Sequence, residues 1–222
     1  MSFSFTHSLS FSSGSIDVLS SSYSSSDLSS SSDMSNEHIG YKKCRDERIV
    51  VLEILGKNNE GVKGIVDKQF AEMRCSKARV IRIYNMHDRS IKYEEAFSIR
   101  DKSFKYTVGE VVVPANGFDK NLYTVRASGI HYFLTEEPAY YWKHKPKNGP
   151  YKSWYSCGQI KKKCTYKKGK KDGLRESWHE NGQIVKRFTY KEGKKDGPCK
   201  FWDEYYQIHR RFVYKNGKIV KN

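Results

Sequence analysis

Trp154, Trp178 and Trp202 stand 24 residues apart. Gly149, Gly173 and Gly197 keep the same spacing, as do Gly169, Gly193 and Gly217. So do the pairs Gln159-Ile160, Gln183-Ile184 and Gln207-Ile208, and the tyrosines Tyr166, Tyr190 and Tyr214. So many residue types coinciding at one period means internal repetition from 149 to the end of the chain. Each unit holds two strand-like segments. In the second unit, LRESWHE and QIVKRFTY flank Asn181-Gly182, the dipeptide of a two-residue hairpin turn. The lysine-glycine stretch that follows reverses the chain into the next unit. Hairpin upon hairpin predicts an elongated antiparallel sheet over 149–222. The third unit carries Tyr205-Tyr206 in place of Asn-Gly, the irregularity expected of a terminal repeat.

Strand alternation divides each unit into two faces. On the second strands, Ile160, Cys164 and Tyr166 share a face with Ile184, Phe188 and Tyr190, and with Ile208, Phe212 and Tyr214. Tyr166, Tyr190 and Tyr214 are therefore expected in a continuous core. Trp154, Trp178 and Trp202 are expected to pack between adjacent hairpins; the alternative is a ligand groove. The opposite face carries Lys161, Lys163 and Lys167, then Arg187 and Lys191, then His209, Arg211 and Lys215. Glu176, Glu180 and Glu204, with Asp172 and Asp196 at the turns, are too few to balance it.

The charge of the whole chain sits in this region. Residues 1–142 hold 18 Lys+Arg against 18 Asp+Glu, whereas residues 143–222 hold 23 against 7, which is the entire net charge of +16. A face of this kind suits an acidic protein, an anionic lipid surface or, nonspecifically, a nucleic acid. The bland alternative is a solubilising face whose lysines discourage edge-to-edge sheet pairing. Sequence-specific nucleic-acid reading is disfavoured, because the aromatic residues are needed in the sheet core.

The rest of the chain reads as three parts. Residues 1–38 are a serine-rich tail, expected to be disordered and a candidate for phosphorylation. Residues 41–142 are expected to form a small α+β domain, and 143–148 a linker. IVVLEIL (49–55) and ARVIRIY (78–84) read as strands. KYTVGEVVVP (105–114) reads as two short strands, or as one strand with a bulge at Gly109. GIHYFLTEEPAYYW (129–142) reads as a strand running into a helix capped by Thr135, with Glu136, Glu137 and Pro138 in its first turn.

The five cysteines show no CxxC spacing, so neither a zinc site nor a disulfide framework is expected. Reduced thiols in a cytosol-like compartment fit best. No apolar run reaches the length of a membrane span. No Lys or Arg precedes Lys42, unlike the basic start of a secretory signal. No nucleotide, metal or nucleophile-elbow motif occurs, and no cofactor is expected. His131, in an apolar strand and near Glu136, Glu137, Tyr106, Tyr123 and Tyr132, is the one catalytic candidate; the alternative is a hydrogen-bonded structural histidine.

The units GxxxxWxxNGQ and YxxGKKDG over 149–220 resemble MORN repeats in their variant form. That resemblance implies paired antiparallel strands stacked in one twisted sheet, and binding, scaffolding or membrane association rather than a fixed chemistry. SKARVIRI (76–83), FKYTVGEVVVP (104–114) and ASGIHYFLTEEPAYYW (127–142) resemble an uncharacterised domain of large DNA viruses of amoebae, which there precedes repeats. A cysteine common before the GIH motif in such relatives is replaced here by Arg126 and Ala127, which weakens the case for a thiol or metal role. Together these resemblances imply a viral interaction or scaffold protein of the host cytoplasm or the virion. It would hold a protein partner through the repeats. The alternatives are peripheral binding to anionic membranes, or a transferase-like enzyme in 41–142.

Overall fold

The computed structural model describes residues 38–124, 126–203, 205 and 207–221. The serine-rich segment before His38 lies outside the described residues, as do Glu204 and Tyr206.

The first domain is built on strand β2 (Arg48–Ile54), which is central and apolar on both sides. It pairs antiparallel with β1 (Ile39–Lys43) and β4 (Ala78–Asn85). The sheet is completed by two-residue strands β5 (Lys92–Tyr93) and β8 (Val111–Val112), both on β4. Val50, Leu52 and Ile54 point into one core with Met73, Val80, Ile83 and Tyr132. Ile49 and Val51 point into another with Tyr84, Met86 and Ala139. A strand buried on both faces reads as an unbroken apolar run, which is why IVVLEIL is legible as a strand. Two small ribbons close the domain: β3 (Met73–Cys75) with β9 (Ile130–Tyr132), and β6 (Glu95–Phe97) with β7 (Lys105–Thr107). KYTVGEVVVP is thus two short strands in different sheets, turned at Gly109.

The expected α+β class of the first domain is not confirmed. Among the described residues the only α-helix is α1 (Glu136–Tyr141), six residues long, so no helical layer exists. The chain turns extended at Trp142 and Lys143 takes a φ of 52°, which stops the helix. Thr135 stands at the N-cap, but its hydroxyl donates to the Gln69 carbonyl at 2.7 Å and makes no cap bond.

The second half is one antiparallel sheet of eight strands. They are β10 (Gly149–Trp154), β11 (Ile160–Lys167), β12 (Lys170–Lys171), β13 (Gly173–Trp178), β14 (Ile184–Lys191), β15 (Lys194–Trp202), β16 (Ile208–Lys215) and β17 (Lys218–Lys221). The repeat is a repeat of register. Gly149 opposes Tyr166, Gly173 opposes Tyr190 and Gly197 opposes Tyr214. Each hairpin shifts register just before its tryptophan, where Trp154, Trp178 and Trp202 oppose Ile160, Ile184 and Ile208.

The tight two-residue turns are not at Asn181-Gly182. Gly182 donates to the His179 carbonyl at 3.1 Å, and Gly182 alone of that pair has positive φ (85°), so the turn is a longer one with a bulge. The paired positive φ values of a type I′ turn occur at Lys168-Gly169 (51°, 76°), Glu192-Gly193 (51°, 86°) and Asn216-Gly217 (48°, 86°). A lysine or glutamate in that conformation costs about 1–2 kcal/mol, and each of these turns is clamped by residues that stand just ahead of its hairpin. Glu192 N donates to Asp172 Oδ2 at 3.1 Å, and Gly193 N to the Lys171 carbonyl at 2.8 Å. Asp196 and Lys195 hold Asn216 and Gly217 in the same way, and Asn148 and Lys147 hold Lys168 and Gly169. The Lys-Asp of KKDG is therefore a clasp for a turn 20 residues downstream. Asp172→Ala should cost about 1 kcal/mol in thermal unfolding; Asp172→Asn, which copies Asn148, should keep most of it.

Candidate functional site

On the face opposite the aromatic residues, one row crosses six strands: Lys152, Lys163, Glu176, Arg187, Lys200 and Arg211, each opposite the next. At about 4.8 Å per strand the row is about 24 Å long. Arg187 donates to Glu176 Oε1 through Nε (2.9 Å) and a terminal nitrogen (2.6 Å). Lys152 reaches Glu137 of α1 at 2.7 Å. Among the described residues Lys163, Lys200 and Arg211 make no ion pair.

A second row of the same face borders the type I′ turns. There Lys167 opposes Lys170, Lys191 opposes Lys194 and Lys215 opposes Lys218. Like charges directly opposite across strands are destabilising, and the arrangement occurs three times. Between the first two turns lies a groove of about 700 Å³ bordered by Lys167, Lys168, Lys170 and Lys191, with Asp172 and Asp196. Lys215 has Asp196 at 3.5 Å.

Six of the expected binding residues thus share one face: Lys163, Lys167, Arg187, Lys191, Arg211 and Lys215. Lys161 lies at the register shift of its hairpin, with its ammonium 4.6 Å from the Tyr155 ring. Lys152, Lys170, Lys194, Lys200 and Lys218 complete the face and were missed. The same alternation, applied to the strands that pair with the second strands, finds them.

The other face holds the core. Tyr166, Tyr190, Cys164, Phe188 and Cys199 are buried, and Phe201, Phe212 and Tyr214 are half-buried. Lysine stems cover part of it. Lys195 Nζ lies 4.4 Å from the Phe188 ring and 4.6 Å from the Tyr214 ring, and Lys171 Nζ lies 5.3 Å from the Tyr190 ring. Lys162 also belongs to this face. Burial, followed by the charges of Arg175 and Lys161, holds its ammonium below the usual lysine range.

The three tryptophans have different neighbours. Trp154 stacks on Phe70 of the first domain at 5.1 Å, so it docks the repeats rather than joining two hairpins. Trp202 lies under the Arg187 guanidinium at 5.7 Å. Trp178 accepts a bond from the Tyr155 hydroxyl at its carbonyl, 2.9 Å.

His131 is placed among partners that its sequence neighbours do not supply. Glu136 pairs with Arg89 and Glu137 with Lys152. Tyr132 faces away and donates to Glu60 at 2.6 Å, and Tyr123 is exposed. The partner is Glu72, just before β3, whose Oε1 lies 3.2 Å from His131 Nδ1 and 2.8 Å from Arg100. His131 Nε2 faces the Ala127 carbonyl at 3.0 Å, so this nitrogen carries a proton. Lys42 donates to the His131 carbonyl at 2.9 Å. Burial pushes the Glu72 carboxyl up, but His131, Arg100 and Lys42 outweigh it and hold it below the usual range. Burial lowers Lys42. Of the residues expected around His131, Tyr106 borders a cavity together with it. The five cysteines are free and buried, and burial pushes the Cys44 and Cys75 thiols up to about 12.

Residues 29–139, half of the chain, match a family of unknown function, DUF5758. The chain belongs to the DUF5758 family. The match ends inside α1, so the DUF5758 region comprises the first domain, including His131, Glu72 and Lys42. Residues 147–168 and 171–192 match the MORN repeat variant. The third hairpin, Gly197–Lys215, lies beyond these matches yet keeps their register. No curated protein and no solved structure matches this DUF5758 chain. MORN repeats are commonly protein- or membrane-binding modules. No helix of the described residues is long and apolar enough to cross a membrane.

Proposed function

We propose that this is a non-enzymatic scaffold protein that holds an acidic protein partner on the lysine-rich face of its repeat sheet. The observation that carries the reading is the three cross-strand lysine pairs, Lys167–Lys170, Lys191–Lys194 and Lys215–Lys218. Each costs stability, and an anionic partner would relieve all three together. The resemblance of the first domain to one from large DNA viruses supports work in host cytoplasm or the virion. The buried thiols are compatible with a reducing compartment.

The test is capture of a defined partner by the full chain at moderate salt, compared with the triple variant Lys167→Glu/Lys191→Glu/Lys215→Glu. The wild-type chain should retain the partner and the variant should lose it by at least about tenfold in Kd. Binding by the variant equal to that of the wild type overturns the reading. Wild-type sedimentation with phosphatidylserine but not phosphatidylcholine vesicles, with no protein partner recovered, replaces it with membrane association.

A further inference from the structure

An open cavity of about 190 Å³ lies in the first domain, away from the lysine-rich face of the sheet. Lys42 from β1, Arg100 from the loop after β6 and the His131 ring from β9 border it. The carboxylate in contact with this set is Glu72, already shared between Arg100 and His131. Asp101 also borders the cavity, but its carboxylate is exposed and occupied by the Ser103 amide at 3.0 Å and hydroxyl at 2.6 Å. Among the described residues Glu72 is thus the one carboxylate within contact of Arg100 and His131, and the Asp101 charge stays at the exposed rim.

Donors are in surplus. An ammonium has three N–H groups and a guanidinium five. Lys42 Nζ makes one hydrogen bond, to the His131 carbonyl. Arg100 makes one from its side chain, to Glu72 at 2.8 Å, with its guanidinium 5.4 Å from the Trp142 ring. The remaining wall is mixed, with Phe104, Pro114 and Ala115 giving it an apolar side beside Ser98, Asn116 and Ser128.

We propose that this cavity binds a small organic anion, its carboxylate or phosphate head held by Lys42 and Arg100 and its apolar body against Phe104 and Pro114. The guest takes the unused donors of Lys42 and Arg100. The site is independent of the scaffold reading and would stand if that reading failed.

Phenyl phosphate and benzoate are the anionic probes, with phenol as the neutral control, titrated calorimetrically into the full chain. At least one anion should bind saturably at one site per chain, and phenol should not. Arg100→Gln and Lys42→Met should each weaken that binding by about tenfold or more, the loss of a charged hydrogen bond. Lys63→Ala, an exposed lysine elsewhere on the first domain, should leave it unchanged. Should Lys42→Met fail to fold, the half-exposed Arg100→Gln decides, together with a shift of the His131 ring signals when the probe is added to the wild-type chain. Absence of saturable binding overturns the proposal. So does binding that Arg100→Gln leaves intact, or phenol binding as tightly as the anions.

Discussion

Replacing Arg74 by methionine is expected to destabilise the first domain by about 3–5 kcal/mol and to lower its melting temperature by roughly 10 °C. Arg74 lies on β3 and is fully buried, yet no carboxylate accompanies it among its hydrogen-bond partners. Its guanidinium is satisfied by backbone carbonyls alone: Thr124 at 3.0 Å, Asp119 at 2.7 Å, Ser128 at 3.2 Å and Asn121. The Phe118 ring lies 4.6 Å from its centre. One side chain thus ties down the segment that runs from β8 toward β9, which otherwise has little secondary structure of its own. Methionine fills much of the volume but leaves these carbonyls without their donor. Lysine should recover only a minor part, because one ammonium cannot spread over a planar fork of acceptors. Thermal unfolding of the three proteins measures the ordering, and amide exchange in residues 119–128 should rise first in the methionine variant. Equal stability of arginine and lysine would show that charge alone is needed at this position.

Gly158→Ala is the second large effect, expected at about 4 kcal/mol from the loss of three backbone hydrogen bonds and a strained turn. Gly158 has a φ of 92°, and a Cβ there would meet the Asp67 carbonyl oxygen at 2.0 Å and the Ala71 nitrogen at 3.1 Å. Both are backbone atoms, so neither can swing aside. The close approach serves three bonds. Val66 and Asp67 donate to the Cys157 carbonyl at 2.8 and 3.1 Å, and Glu72 donates to the Ser156 carbonyl at 3.0 Å. Gly182, the equivalent position one unit later, has a φ of 85° but faces only the Gln159 side chain at 3.2 Å. Gly182→Ala should therefore cost about 1–2 kcal/mol, the backbone strain alone. The difference between the two variants isolates the docking of the first hairpin on the DUF5758 domain. Amide exchange at Val66, Asp67 and Glu72 should rise in Gly158→Ala and stay unchanged in Gly182→Ala. If the two variants were equally stable, the first hairpin would contribute nothing by docking.

What could be read in the chain depended on how local each contact is. The 24-residue period fixed the strand pairs of the sheet, because every unit repeats the same local pattern. IVVLEIL was readable because its burial on both faces leaves an unbroken apolar string. The turns were placed but the tight type was assigned to the wrong one, because Lys168, Glu192 and Asn216 take left-handed backbone only with help from residues 20 positions earlier. No rule of adjacent residues contains that help. The partner of His131 was missed for the same reason. Glu136 and Glu137 are close in the chain and engaged elsewhere, whereas Glu72 is distant in sequence and arrives through the pairing of β3 with β9. The α+β expectation rested on a single helix, and no second helix occurs among the described residues to pack beside it.

The clasps at Asn148, Asp172 and Asp196 give the sheet a direction of growth. Each reaches forward to close the turn of its own hairpin's return, so a clasp is in place before the turn that needs it has been made. The first hairpin, in turn, is seated on the DUF5758 domain through Ser156, Cys157 and Trp154. Synthesis from the N-terminus would thus deliver a finished foundation, then one course of strands at a time, each keyed into the last. Such a sheet can lengthen by whole courses at its far end without disturbing those already laid.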